Sequence, residues 1–568
     1  MGNRYMITAA LPYANGPLHF GHLAGAYLPA DVYTRHLRLE GHQAMFICGS
    51  DEHGVAIMLN ARQQGIPFKD YVRQWHEKHD ALFKQYGVDF DFFGETSAPY
   101  HHTETQHWFK VLYEKGYIGT KSTPQLYCND CHNPLPDRYV EGTCYQCGYP
   151  NARGDECPEC GIWIEPEKLI NPVCKICGGK NIVVKEVEQY YLLMSKFHKE
   201  YRQWFEGRKN IWRKTVYPFA DSLSKEGLKD RAISRDLDWG IDVPLPEAKG
   251  KKLYVWFDAP IGYVSNTKEY LKEIGSSEDY LKDWWHNDQT KIVHFIGKDN
   301  IIFHTIIFPM MAMASGIINP PYDVPANQYL NLNGKQFSKS TGNYVDAEEA
   351  VAEFGQDALR YYLLAILPET ADASFAWEGL AAKNNNELAN NIGNLVARCL
   401  KFMAKNWPAL PGENFTTFAA EAERTKLRSI ILDHQAALDS IQIRKGLELV
   451  MHLGQEANLY FTEQAPWGQF KTDPALAAKT VANTIAYIIV IADLLTPYLP
   501  NLSYKILASL GLHERKAELS KLYQGDLAAL AALVQDGITL VAPPEILVPK
   551  IDDKVIAAKA AALAGGNK

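Results

Sequence analysis

At 568 residues the chain is too long for one hydrophobic core, and ordinary domain sizes divide it into roughly three or four units. Hydrophobic residues make up 46% and charged residues 22%, a globular balance that excludes a disordered or fibrous chain. A net charge of -8 excludes a protein that coats nucleic acid by bulk electrostatics, but leaves room for an enzyme with a local basic face.

No stretch approaches the roughly 20 apolar residues expected of a membrane-spanning helix. Met1-Gly2-Asn3-Arg4 runs into a strand-like segment without an apolar signal region, and Gly2 lacks the Ser or Thr at the sixth position that myristoylation requires. A cytoplasmic protein with no membrane attachment is expected.

Tyr5-Met6-Ile7-Thr8-Ala9-Ala10 reads as a buried strand, followed by the turn-rich Leu11-Pro12-Tyr13-Ala14-Asn15-Gly16-Pro17 and a helix ending near Gly41. Met45-Phe46-Ile47-Cys48 is a second strand that closes on Ser50-Asp51-Glu52-His53-Gly54. This alternation predicts an α/β fold with a Rossmann-type parallel sheet, with ligands in the crevice beyond the carboxyl ends of its strands. A cysteine-rich insertion splits the sheet, which resumes with Leu253-Tyr254-Val255-Trp256-Phe257 and Ile292-Val293-His294-Phe295-Ile296 as strands. After Lys383 amphipathic helical periodicity takes over, interrupted by Pro408, Pro466 and Pro500, and predicts an all-α helical-bundle domain. The expected divisions are 1–117 and 229–325 for the split sheet, 118–228 for the insertion, 326–383 for a loop region, 384–540 for the helices and 541–568 for a tail. Pro543–Ile551 is expected to fold back onto the body of a monomer.

Eight of the ten cysteines form Cys-x-x-Cys pairs: Cys128/Cys131, Cys144/Cys147, Cys157/Cys160 and Cys174/Cys177. A two-residue gap lets both thiolates of a tight turn face one tetrahedral ion, so four pairs predict two closed, structural Zn²⁺ sites. Gly148, Gly161 and Gly178 follow the second cysteine of three pairs, where positive φ is often needed. Spacing leaves sequential and nested pairing equally open. Cys48 and Cys399 stand apart and read as small buried hydrophobes.

His19-Phe20-Gly21-His22 puts two imidazoles one turn apart at a helix N-terminus, where free N–H groups favour an anion. Gly334-Lys335-Gln336-Phe337-Ser338-Lys339-Ser340-Thr341-Gly342 reads as a loop able to fold over phosphates. Each patch by itself has a bland alternative, a chance histidine pair or a solvated loop. Together, His19-Phe20-Gly21-His22 resembles the HIGH motif, and Gln336-Phe337-Ser338-Lys339-Ser340 the KMSKS motif, of class I aminoacyl-tRNA synthetases. Their order and separation, roughly 310 residues, suit a split nucleotide-binding sheet. The first KMSKS position is Gln336 rather than lysine, so the resemblance assigns the essential charge to Lys339, with Lys335 beside the departure.

Ala10-Leu11-Pro12-Tyr13-Ala14-Asn15-Gly16, Tyr254-Val255-Trp256-Phe257-Asp258-Ala259-Pro260-Ile261-Gly262-Tyr263 and His294-Phe295-Ile296-Gly297-Lys298-Asp299 are similar to blocks of the methionyl-tRNA synthetases. That resemblance implies a ligase that activates L-methionine with ATP and Mg²⁺ and charges tRNA(Met). It implies a side-chain pocket of Ala10, Leu11, Tyr13, Trp256, Ala259, Pro260, Tyr263 and His304, with Asp51 on the substrate ammonium; a polar Asn300 stands where relatives often carry an aliphatic residue. ATP would meet His19, Gly21, His22, Gly297, Asp299, Lys335, Ser338, Lys339 and Ser340, and Arg235 resembles a phosphate-binding arginine. Asn394, Arg398 and Trp467 correspond to residues that contact anticodon bases. A synthetase for cysteine or an aliphatic amino acid is the alternative, but the chain has no room for a large editing insertion, and closed four-thiolate sites oppose a substrate-binding zinc. A non-catalytic tRNA-binding relative is a further alternative.

Overall fold

The computed structural model describes residues 3–154, 157–160, 162, 164–337, 342–419, 421–541 and 546–565. Five parallel strands form the central sheet, in the spatial order Ala326–Asn327, Thr290–Gly297, Arg4–Ala9, Gln43–Ser50 and Phe92–Glu95. Arg4 pairs with Thr290 on one side and Gln43 on the other. Side chains alternate across the sheet, so Ile7, Phe46 and Phe295 enter one core while Met6, Ile47 and Ile292 enter the opposite one. Burial on both faces accounts for the unbroken apolar runs of these strands.

Phe20–His22, Leu23–Tyr27 and Leu28–Leu39 run on as one helix, of which Leu23–Tyr27 is a π turn. Pro29 explains the widening: it lacks the N–H for the carbonyl four residues back and its ring would strike it. The same device recurs where the π turn Phe303–Ile307 precedes Pro309 in Phe308–Ser315.

Leu253-Tyr254-Val255-Trp256-Phe257 is a correction to the expected strand: the strand stops at Leu253 and Val255–Asp258 is a short helix. The aromatic and β-branched run favours a strand locally, but packing decides otherwise, because the helical turn buries Phe257 and Asp258 together.

The insertion rises on an antiparallel pair, Ile118–Cys128 with Ile182–Leu192, and carries a small sheet of Ala152–Arg153, Val140–Thr143 and Ile170–Cys174. The helices His198–Glu206 and Tyr217–Ser224 join instead the core on one face of the central sheet, through Tyr201, Phe205 and Ala220, and pack on Phe308–Ser315 and Phe303–Ile307.

Pro474–Leu495 corrects the expectation that no segment is apolar enough to cross a membrane: by length and composition it is. It is apolar all round because it is the core helix of the bundle, packed by Ile443–Gln464, Pro466–Thr472 and Pro500–Ser509. In the tail, Val548 is buried near Gly393, and Asn385 accepts from the Ile551 N–H and donates to its carbonyl, both at 2.8 Å. Arg360, wholly buried, joins bundle to sheet domain through Asp31 (2.7 Å) and the carbonyls of Tyr86 (2.9 Å) and Tyr498 (2.8 Å).

Candidate active site

A cleft of about 510 Å³ opens beyond the carboxyl ends of the central strands. Ala10 and Leu11 follow the first strand, Asp51 the second and Gly297 and Asp299 the fourth in chain order, and all five line it. The loop after the first strand is zipped to the loop after the second: Asp51 N–H donates to Pro12 O (2.9 Å) and Ala14 N–H to Asp51 O (2.8 Å).

His19 caps the helix that His22 ends. Nδ1 of His19 accepts from the Gly21 N–H and Nδ1 of His22 from the His19 N–H, each at 3.1 Å. An imidazole nitrogen that accepts from a backbone N–H carries no proton, so both neutral rings hold theirs on Nε2. Enclosure by the cleft walls lowers His19 to about 4 and His22 well below its usual value, with His19 and His79 adding to the latter, although the His22 ring opens onto the cleft. Gly21 is required here, since a Cβ would sit 2.9 Å from the His19 ring.

Phe337 stacks on His19 at 4.6 Å and 8°, which brings the two distant motifs into contact over one cleft. Gln336 and Phe337 line it; Lys335 lies on the exposed turn behind, where Asn333 and Gly334 have positive φ. Asn343 pins the base of that loop, donating to the Gln336 carbonyl at 2.8 Å. Ser338, Lys339 and Ser340 lie outside the described residues.

Asp51 is 5% exposed, and its Oδ1 has no hydrogen-bond partner among the described residues. Burial, then the neighbouring Asp258 charge, push its carboxyl above the usual range, so a cation in the cleft would favour the ionised form. Trp256 stacks on Phe303 at 3.8 Å and 9°. His304 Nδ1 donates to the Asn300 carbonyl (3.1 Å), which leaves Nε2 to accept from the Tyr263 hydroxyl (2.9 Å); burial lowers this histidine to about 4. Tyr13, Trp256, Ala259, Pro260, Tyr263 and His304 all line the cleft, together with Asn300. Gly297 admits the Asp299 carboxylate, which a Cβ would meet at 2.6 Å.

Arg235 is not among the lining residues. Its Nη1 donates to Ser234 O at 2.9 Å, and its guanidinium lies 4.2 Å over the Tyr254 ring. The sequence reading missed Arg138, Trp239, Phe303 and Gln328, which also line the cleft. Arg138 and Trp239 arrive from the metal-lobe turn Asp137–Tyr139 and from beyond it, and no local pattern signals such an approach.

The cysteines gather as Cys128, Cys131, Cys174 and Cys177, and as Cys144, Cys147, Cys157 and Cys160. Pairing is therefore nested. Sγ separations of 3.7 Å for Cys128–Cys177 and Cys131–Cys174, and of 3.9 and 3.6 Å for Cys144–Cys160 and Cys147–Cys157, match the roughly 3.8 Å edge of a tetrahedron with metal–sulfur bonds of about 2.3 Å. Both four-thiolate clusters fit structural zinc. Gly148 and Gly178 have the expected positive φ, 74° each, and Gly161 lies outside the described residues.

Some distance along the bundle, exposed Asn394 and half-buried Arg398 lie on Asn394–Asn406, one turn apart. The Arg398 guanidinium packs over Phe461 (5.4 Å) and over Trp467 (5.6 Å), itself 43% exposed after Pro466.

A split parallel sheet with these two motifs converging defines a class I synthetase architecture, and the model of tRNA synthetases class I (M) matches residues 5–400. The model of the anticodon binding domain of methionyl tRNA ligase matches residues 411–568. The chain is 42% identical to the methionine–tRNA ligase of Pyrococcus furiosus over 528 residues, covering 90% of this chain and 72% of that protein. It is 39% identical to that of Dehalococcoides mccartyi over 557 residues, covering 98% of both. A solved structure of Mycobacterium tuberculosis methionyl-tRNA synthetase in complex with methionyl-adenylate shares the fold, with a TM-score of 0.76 over 96% of this chain and 100% of that one at 24% identity. The chain belongs to the methionine–tRNA ligase family of class I aminoacyl-tRNA synthetases.

Proposed function

We propose that the cleft joins L-methionine to ATP, releasing pyrophosphate, and then transfers the methionyl group to the 3′ end of tRNA(Met) in the cytoplasm. The observation that carries the reading is the stacking of Phe337 on His19 above a cleft that also holds the Asp51 carboxylate, whose Oδ1 has no partner among the described residues. Asp51 anchors the substrate ammonium, and Leu11, Tyr13, Trp256, Ala259, Pro260, Tyr263 and His304 receive the thioether, whose sulfur gains about 0.3–1.5 kcal/mol from aromatic edges.

The methionine carboxylate is ionised at neutral pH and attacks the α-phosphorus without a general base. Alignment and charge stabilisation then carry the step. His19 and His22 each present an Nε2–H to phosphate oxygens, while their Nδ1 atoms stay tied to the backbone. Gly297 and Asp299 take the ribose side, Lys339 the departing pyrophosphate, and Arg235 swings from its carbonyl contacts to reach phosphate. Mg²⁺ accompanying ATP would supply further neutralisation of phosphate charge. In the second step the terminal ribose hydroxyl of tRNA attacks the adenylate carbonyl and AMP leaves.

Two zinc ions fill the thiolate clusters as structural centres, because four thiolates leave no open position. Asn394, Arg398 and Trp467 read the anticodon by amide and guanidinium hydrogen bonds and by stacking. Pyrophosphate exchange measured with each standard amino acid is expected to respond to L-methionine far above the rest. A stronger response to another amino acid, or none, would overturn this reading.

A further inference from the structure

Behind Asp51 lies a second buried carboxylate that the reaction does not consume. Asp258, wholly buried, ends the short helix that carries Trp256, and its Oδ2 is 3.0 Å from His53 Nδ1. His53 is 1% exposed and two residues beyond Asp51, whose carboxylate receives the His53 backbone N–H. Asp258 Oδ1 and His53 Nε2 have no other hydrogen-bond partner among the described residues. The His102 ring is 5.5 Å from His53 and the Trp239 ring 5.7 Å, and Glu52 and Lys252 act on it electrostatically with opposite sign.

Two carboxylates close together in a dry cavity cannot both ionise freely, so a lone Asp258 would compete with Asp51 for one proton. Its charge already raises the Asp51 carboxyl, and its bond to His53 limits that competition. With Nε2 of His53 protonated as well, the pair is uncharged whether the proton shared between Oδ2 and Nδ1 sits on the carboxyl or on the imidazole. The pair also links the loop bearing Asp51 to the helix bearing Trp256.

We propose that His53 and Asp258 are positioning residues, a charge-cancelling pair that keeps Asp51 available as the anionic anchor for the substrate's ammonium group. The inference rests on the function proposed above and names a determinant of how that site selects an α-amino acid.

The test uses the full chain, L-methionine and its desamino analogue 4-(methylthio)butanoate, with calorimetry for binding and pyrophosphate exchange for KM and kcat. His53→Phe leaves Asp258 beside Asp51 without its donor. It is expected to weaken L-methionine binding roughly ten- to hundredfold, the scale of a charge-assisted hydrogen bond, with KM for ATP and kcat nearly unchanged and the desamino analogue little affected. Adding Asp258→Asn removes the competing charge and is expected to restore most of the affinity, whereas Asp258→Asn by itself should be nearly silent. A double variant no better than His53→Phe, or equal losses for both ligands, would overturn the proposal and leave a packing role. Should His53→Phe fail to fold, His53→Gln takes its place, with a smaller loss and the same rescue. Wild-type protein that binds no L-methionine would overturn the functional reading instead.

Discussion

A neutral imidazole offers an anion one N–H and no charge, and in the HIGH-like turn the backbone decides which nitrogen offers it. Both Nδ1 atoms are spent on helix capping, so a substitution that keeps a donor but not the acceptor would disturb the turn itself. At this scale the sequence was informative wherever a motif brought its own geometry. Asp51 directly follows the strand Gln43–Ser50, Tyr13 sits in the loop after Arg4–Ala9, and Trp256, Tyr263 and His304 lie in the first turns of Val255–Asp258, Ile261–Glu273 and Phe303–Ile307, so the fold brings all five to one cleft. Arg138 was illegible because it reaches the cleft from the metal lobe, Trp239 because it comes from an irregular stretch with no motif, and Arg235 points its guanidinium at its own chain. Trp467 stands exposed against Arg398, with few core contacts to lose. Trp467→Ala is expected to raise KM for tRNA about ten- to hundredfold, given about 1–3 kcal/mol per stacked base, while methionine-dependent pyrophosphate exchange stays unchanged. Parallel assays of charging and exchange check this.

Elements written by local pattern were readable, and those written by packing were not. Glycines after Cys147 and Cys177 announced the metal turns, but the choice between nested and sequential pairing depends on the long hairpin Ile118–Cys128 with Ile182–Leu192, whose register sets Cys128 opposite Ile182. That pairing brings the outer cysteines together from the two hairpin ends. The π turns at Leu23–Tyr27 and Phe303–Ile307 were also missed, although Pro29 and Pro309 mark where an ordinary helix would have lost a hydrogen bond. Both π turns border the cleft and turn side chains toward it: His22 precedes the first, and Phe303 and His304 begin the second. Because the outer cluster closes the hairpin, Cys177→Ser is expected to lower bound zinc from two ions per chain to about one and to lower the melting temperature, leaving the inner cluster filled. Metal analysis of the purified variant decides it; two retained ions would contradict Cys177 as a required ligand of the outer site.

Between the sheet domain and the bundle runs a buried polar seam: Arg360 at Asp31, His36 against Tyr523 and Asp439, and His434 with Nε2 3.1 Å from the Tyr498 hydroxyl. Burial, helped by His36, lowers His434 to about 3. On unfolding it would take up a proton near its ordinary value of about 6.5, so its contribution is complete above that pH and is lost as pH falls toward 3. Relative to His434→Gln, the wild type should therefore lose about 1.4 kcal/mol of unfolding free energy per pH unit between pH 6 and 4, and nothing above pH 7. Denaturant titrations across that range measure the difference. The order of the central sheet carries one more consequence. Its middle strand, Arg4–Ala9, has a neighbour at Thr290–Gly297, so it must wait on the ribosome for a partner synthesised far later. At ordinary elongation speeds that delay is roughly 15 to 60 s. Throughout it a sticky, half-matched edge stays open to strangers, and the hazard of wrong pairing lasts as long as the wait.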